Sequence, residues 1–459
     1  MPAMTLACRI ATWIAQLDAQ SLSPVVIGKL KLAVIDTLAA ILAGSREEVV
    51  LRLLPHVAKM SGDEAISIIG RAERIDPLGA CLLNGTMAHA CDYDDSSWLM
   101  WGHPSAPVLP AALAICEWKN LSGFDLLVAF AAGIEVEKIL GLGCQPDHYQ
   151  RGYHPTGSLG VFGAAAASAK LLSLSTQQIE MAIGLAASRA AAIRENFGTM
   201  TKPLHVGFAS RDGAEAASMA GHGITSSPQA LEGPMGFFHT LAPALGEGDV
   251  DRLADRLGQP FEVVEPGLSP KLYSCCSEAH AAVDAILDIR AQGITAADVL
   301  QIRCGVTPGA DANLVFHDPK TPLEGKFSQE YCLAAALVRG KLGISEFNPD
   351  SINDPAIRDV MRRIELRVHP DLSKSDSVAF SSPAIVEVET RDGRVLKRAV
   401  REMKGHPKNP LTAADIDNKF YECAGSVLPA PRVREAFAKL TRLEKLESVR
   451  SLIADLRTT

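Results

Sequence analysis

Apolar residues recur at helical spacing along most of the chain. Ile27, Leu30, Val34, Ile35 and Leu38 fall on one face of a 3.6-residue period, and later segments repeat the pattern up to about Val264. Residues 157–192 are rich in Ala, Gly and Ser, so their helices can approach until backbone meets backbone, which suits the centre of a bundle. The character changes after Glu265-Pro266-Gly267, a punctuating triplet. Beyond it, residues 299–306 and 364–368 have strand-like spacing, and residues 384–390 and 394–399 flank Arg391-Asp392-Gly393 as a hairpin with Asp-Gly at its turn. Gly405-His406-Pro407-Lys408-Asn409-Pro410 interrupts the chain again, and helical spacing returns from Thr412 to Leu456.

The expected fold is therefore mainly α. A large all-helical domain is built from both chain ends, residues 1–266 and 406–459, with a smaller α+β domain, residues 267–405, inserted between them. Three consecutive domains are the alternative, but the last helices are too few to hold a core alone.

Composition narrows the function classes. Of 459 residues 47% are apolar and 21% charged, the balance of a soluble globular protein. The net charge of −8 and scattered Lys and Arg leave no basic stripe for a phosphate backbone, so nucleic acid is not an expected partner. The amino terminus lacks the basic-then-apolar order of a signal peptide, and Glu135, Glu137 and Lys138 break the most apolar segment before it could span a membrane. Ten cysteines without a C-x-x-C pair read as reduced, mostly buried thiols, and the expected location is the cytoplasm.

Candidate chemistry lies in three places. Four His-Pro pairs occur where composition alone predicts about one. His103-Pro104 and His154-Pro155 precede small-residue helical segments, and Lys202-Pro203 repeats the arrangement with a lysine. Proline favours the first helical position, which puts the basic residue at the N-cap. There the unpaired backbone N–H groups and the helix dipole attract carboxylates. Three such starts meeting in one cleft would hold a di- or tricarboxylate. For any single pair, an ordinary helix start with a solvated side chain is an equal reading. The second place is Asp92-Tyr93-Asp94-Asp95 with Ser96 and Ser97, which fits a general base, a divalent-metal loop or a polar turn. No second acidic or His/Cys cluster accompanies it, so no metal is expected. The third is Lys271-Leu272-Tyr273-Ser274-Cys275-Cys276, at the start of the inserted region, where a lysine can close on a bound anion and the cysteines are packing or pocket-lining thiols.

Taken in order, five segments resemble the MmgE/PrpD family: His89-Ala90-Cys91-Asp92-Tyr93-Asp94-Asp95, Gly102-His103-Pro104-Ser105, Gly152-Tyr153-His154-Pro155-Thr156-Gly157, Phe197-Gly198-Thr199-Met200-Thr201-Lys202-Pro203-Leu204-His205-Val206-Gly207 and Lys271-Leu272-Tyr273. Each is weak alone; five in family order are a strong signal. The resemblance implies the same two-part helical domain with an α+β lid, a homodimer, a cleft between the domains, and lyase or isomerase chemistry on small polycarboxylates without a cofactor. By position it carries active-site roles to Asp92, Ser96, His103, His154, Lys202 and Lys271, with Ser96, His205 and Tyr273 expected to bind substrate. A 2-methylcitrate dehydratase-like reaction is the leading expectation, with cis-aconitate decarboxylation or epimerisation of an imino- or hydroxy-polycarboxylate as the alternatives. A non-catalytic metabolite-binding homologue ranks below these. Two departures bear on the choice. The dehydratases' Trp-Ala-Ala-Gly-Asp stretch is replaced by Leu204-His205-Val206-Gly207-Phe208, and the decarboxylases' histidine after the lid lysine is replaced by Cys275 and Cys276.

Overall fold

The computed structural model describes residues 4–62, 65–246, 248–308, 313–373 and 382–458. Helix accounts for 55% of the chain, so the fold is mainly α as the periodicity predicts. Helix starts follow local chemistry. Asp76 caps the helix Pro77–Ala90, accepting from the N–H groups of Leu78 and Gly79 at 3.0 and 2.9 Å, with Pro77 at its first position. Ser122 and Asp125 form a capping box at the head of Gly123–Cys144.

Two hydrophobic cores organise these elements. One gathers side chains from residues 6–263 and again from residues 416–456. The other is made entirely from residues 273–403. At the centre of the first, Thr201–Gly221 runs antiparallel to Pro77–Ala90, with Cys81 opposite Ser210 and Gly85 opposite Gly207. A Cβ at Gly207 would lie 2.4 Å from the Leu82 carbonyl oxygen and 2.3 Å from Thr86 Oγ1, so only glycine lets the helices cross this closely. That crossing brings the end of one helix and the start of the other to the same place.

The second core packs the helix His280–Arg290 on a four-stranded sheet ordered Ile364–Val368, Val299–Val306, Ala384–Thr390, Val395–Val400. The first pair is parallel and the others antiparallel. The expected hairpin is present, its second strand beginning one residue later than the spacing implies. A short pairing of Ile66–Ser67 with Arg74–Ile75 lies within the otherwise helical first part and was not legible in the spacing, because two-residue strands carry no period. No helix is long and apolar enough to cross a membrane among the described residues. All ten cysteines are free thiols, nine of them buried.

Candidate active site

The chain leaves Pro77–Ala90 through a loop that three distant lysines strap down. Asp92 takes the left-handed conformation, φ 51°, which an Asp tolerates at some cost when its surroundings fix it. Lys271 donates to the Asp92 carbonyl at 3.0 Å, Lys326 to the Cys91 carbonyl at 2.9 Å, and Lys419 to the Tyr93 carbonyl at 2.6 Å. Lys419, from the helix Ala413–Gly425 near the chain's end, also pairs with buried Asp36 at 2.7 Å.

The side chain of Asp92 faces a small cavity lined also by His103, Tyr149, His154, Phe197, Lys202, Lys271, Cys276, Ser277, Asn313 and Phe327. Lys202 and Lys271 lie 2.7 and 3.1 Å from Asp92 Oδ1. Burial opposes the Asp92 charge, and the two ammonium groups overcome it, holding the carboxyl well below its usual range. Lys271 answers in kind: burial opposes its charge, and Asp92 and Asp94 outweigh that and raise it. Phe197 and Phe327 place ring faces 5.2 and 5.0 Å from the Lys202 ammonium. Asp92 Oδ2 and Ser277 Oγ are buried with no hydrogen-bond partner among the described residues. Polar atoms left bare in a cavity are points at which a polar ligand gains hydrogen bonds without displacing internal ones.

Four imidazoles gather beside the carboxylates. His89 Nδ1 lies 2.9 and 2.8 Å from the two Asp94 oxygens, and its ring is 4.7 Å from that of His103 and 5.6 Å from that of His154. His103 Nδ1 bonds the Asp95 carbonyl at 2.8 Å, and His154 Nδ1 faces His205 Nδ1 at 3.1 Å. Burial lowers all four histidines, His103 to about 3 and His205 to about 4, so they rest neutral. Burial opposes the Asp94 charge too, but His89 and His103 beside it outweigh that and keep it ionised. His89, Asp94 and His103 bring three donor atoms within 4.8 Å of one another, a spacing that would admit a metal ion. The Nδ1 atom of His89 bonds Asp94 and that of His103 bonds the Asp95 carbonyl, an Asp–His pair beside a second imidazole.

Of the eight residues expected from sequence, Asp92, His103, His154, Lys202 and Lys271 line one cavity. His205 stands behind His154. Ser96 and Tyr273 do not line the cavity. Ser96 pairs through its backbone with Ser269 and keeps a buried Oγ without a hydrogen-bond partner among the described residues, and the Tyr273 hydroxyl donates to Asp284 at 2.5 Å. The helix-start argument also needs correction in detail. Only His154 occupies an N-cap; His103 lies one residue before its cap, and Lys202 sits inside the first turn of Thr201–Gly221. Asp92 is the counter-ion of two lysines, and Asp94 of the same acid-rich stretch pairs with His89. Sequence reasoning misses Tyr149, Asn313, Ser277 and the straps Lys326 and Lys419, since nothing local marks them. His89 and Asp94 belong to the first family-like segment, but position alone gives neither of them a role.

Fold and site together define a protein with a buried, lysine- and histidine-lined cavity suited to a small polyanion. The chain matches the MmgE/PrpD N-terminal domain over residues 8–245 and the MmgE/PrpD C-terminal domain over residues 273–443, and it belongs to that family. It is 28% identical to a cis-aconitate decarboxylase of Homo sapiens over 452 residues, covering 95% of this chain and 91% of the relative. The Mus musculus cis-aconitate decarboxylase is 27% identical, covering 92% and 87%, and that of Aspergillus terreus is 24% identical, covering 97% and 94%.

Proposed function

We propose that this chain is a lyase that decarboxylates cis-aconitate or a closely similar tricarboxylate, with charge and protons supplied by its own side chains. The observation that carries the reading is the pair of ammonium groups, Lys202 and Lys271, held on one buried carboxylate in a cavity walled by His103 and His154. The full-length similarity to decarboxylases favours this over the 2-methylcitrate dehydratase reading.

The reaction suits the groups present. When a carboxylate leaves as CO2, its C–C bonding pair passes across the adjacent C=C bond to the carbon beside a second carboxylate. That carbon then takes a proton, so each turnover consumes one. The lysines hold the remaining carboxylates and the developing charge, each well-placed donor contributing about 3 kcal/mol. An imidazolium at His103 or His154 delivers the proton.

We also read residues 267–405 as a lid. They supply Lys271, Cys276, Ser277, Asn313 and Phe327 to a cavity whose other wall comes from residues 92–202. Its free volume of about 20 Å³ holds little more than a water, so the two walls must part to admit a tricarboxylate. A neighbouring opening shares Phe197 and Asn313 with it and is lined by Arg151 and Arg194, cations suited to gather the substrate. A homodimer, implied by the family resemblance, and a cytoplasmic location, read from the cysteine usage, complete the reading, and light scattering checks the first. The decisive test follows cis-aconitate and 2-methylcitrate by proton NMR in D2O. The expected result is CO2 release from cis-aconitate with one deuterium retained per product. Turnover of 2-methylcitrate alone would overturn the reading.

A further inference from the structure

With Asp94 counted behind its wall, the cavity as it stands is electrically balanced. Asp92 and Asp94 carry two negative charges, and Lys202 and Lys271 carry two positive ones. The imidazoles around them are neutral, and Cys276 is held as the thiol by burial. A di- or tricarboxylate adds two or three negative charges to a dry, balanced site, which is costly unless protons enter with it. The structure shows one imidazole prepared to take such a proton. His89 is 1% exposed, its Nδ1 is fixed on Asp94, and its Nε2 is buried with no hydrogen-bond partner among the described residues. A bare ring nitrogen at that depth is a cost to the resting fold. The groups that face it are Asp92 and Asp94 from the following loop, His103, His154 from its turn, Lys202 from the helix Thr201–Gly221, and Lys271 beyond Asp92. Burial and Lys202 oppose a proton on His89 while the cavity is unliganded. Bound substrate carboxylates would neutralise that opposition, and Asp94 would then pair with the imidazolium.

We propose that His89, clamped by Asp94, is the proton store of this site: it takes up a proton when a polycarboxylate binds and holds it behind His103 and His154. His89 lies outside the cavity lining and is a positioning residue that acts through those two histidines. The proton balance closes with the decarboxylation read above, on which this inference rests. One proton enters with the substrate, passes through a lining imidazole to carbon, and leaves as a C–H bond of the product.

The test is calorimetry of propane-1,2,3-tricarboxylate, which has no C=C bond to receive the electron pair, in two buffers of different protonation enthalpy at pH 7. Wild type is expected to bind with uptake of about one proton per site. His89→Asn keeps a side-chain N–H where Nδ1 stands, preserving the bond to Asp94, but places nothing at Nε2. This variant is expected to bind with the uptake lost. With cis-aconitate its kcat should fall about tenfold or more, KM moving less, and the rise of kcat toward lower pH should flatten. Unchanged uptake and an unchanged pH profile in His89→Asn would overturn the proposal, as would tight binding by wild type with no uptake, a result that leaves the substrate class standing. Failure of wild type to bind would remove substrate class and proton store together. Should His89→Asn not fold, Asp94→Asn must show the same loss of uptake, and unchanged uptake there overturns the proposal.

Discussion

Three aspartates within four residues meet three different fates. Asp92 is held ionised by two ammonium groups, Asp94 is held ionised against two imidazoles, and burial pushes Asp95 up although the Ser105 hydroxyl donates to it at 2.6 Å. Their roles differ accordingly. Asp92 organises cations, Asp94 orients His89, and Asp95 braces Ser105 while its backbone carbonyl fixes His103. Such a division of labour sets expectations for single substitutions. Lys202→Ala removes a charge from substrate binding and from the transition state, so KM should rise and kcat should fall, with kcat/KM lower by a hundredfold or more, about 3 kcal/mol. His103→Ala should lower kcat with KM nearly unchanged. Steady-state kinetics on protein of verified fold distinguish these patterns from a purely structural role, which would lower the melting temperature and leave the activity per folded molecule near wild type.

At the scale of elements, the site depends on helices far apart in sequence. The Gly85–Gly207 crossing brings His89 beside Lys202, and the helix Ala413–Gly425 sends Lys419 into the first core to hold Asp36 and the loop after Pro77–Ala90. The side chain of Lys419 is 2% exposed and that of Asp36 0%, so Lys419→Met would strand a carboxylate in the interior. The expected loss is 3–5 kcal/mol, roughly that of breaking one buried ion pair. The double variant Asp36→Leu with Lys419→Met should recover much of it, because no buried charge is then left alone. Denaturant titration of the four proteins measures the coupling. Equal stability of wild type and Lys419→Met would show that the strap does not hold the loop.

At the scale of the molecule, the buried neutral histidines set the acid limb of stability. Their pKa values are depressed in the native state, so the unfolded chain binds protons first as the pH falls below its ordinary histidine value of 6.5. Stability is therefore full above that value, and the loss continues until the native values of about 4 for His205 and about 3 for His103 are reached. Each such histidine costs up to about 2 kcal/mol at pH 5. The ionised pair Asp92 and Asp94, with depressed native values, adds its own loss only below about pH 4. Melting temperatures in buffers of matched ionic strength should fall steadily from pH 7 to 5. A saturating tricarboxylate should flatten that slope, because it stabilises the protonated imidazoles. A melting temperature independent of pH over this range would contradict the neutral resting state of the cluster.

Much of this was legible in the chain itself. Periodicity is a local property, so the helices, the hairpin and the change of character near Pro266 could be read directly from spacing. The basic residues beside helix starts and the acid-rich stretch were visible for the same reason, and in order they marked the family. Partnership was not legible. Asp92, Asp94 and Asp95 look alike in sequence, and what separates them is depth and neighbours: Lys202 lies 110 residues from Asp92, Lys271 lies 179 away, and Lys419 reaches Tyr93 across 326. Ser96 and Tyr273 fit the motif by position, yet the fold sets both outside the cavity lining, with the Tyr273 hydroxyl bonded to Asp284. Desolvation and Coulomb attraction act through space, so the protonation state and the role of each side chain were decided only when the chain folded.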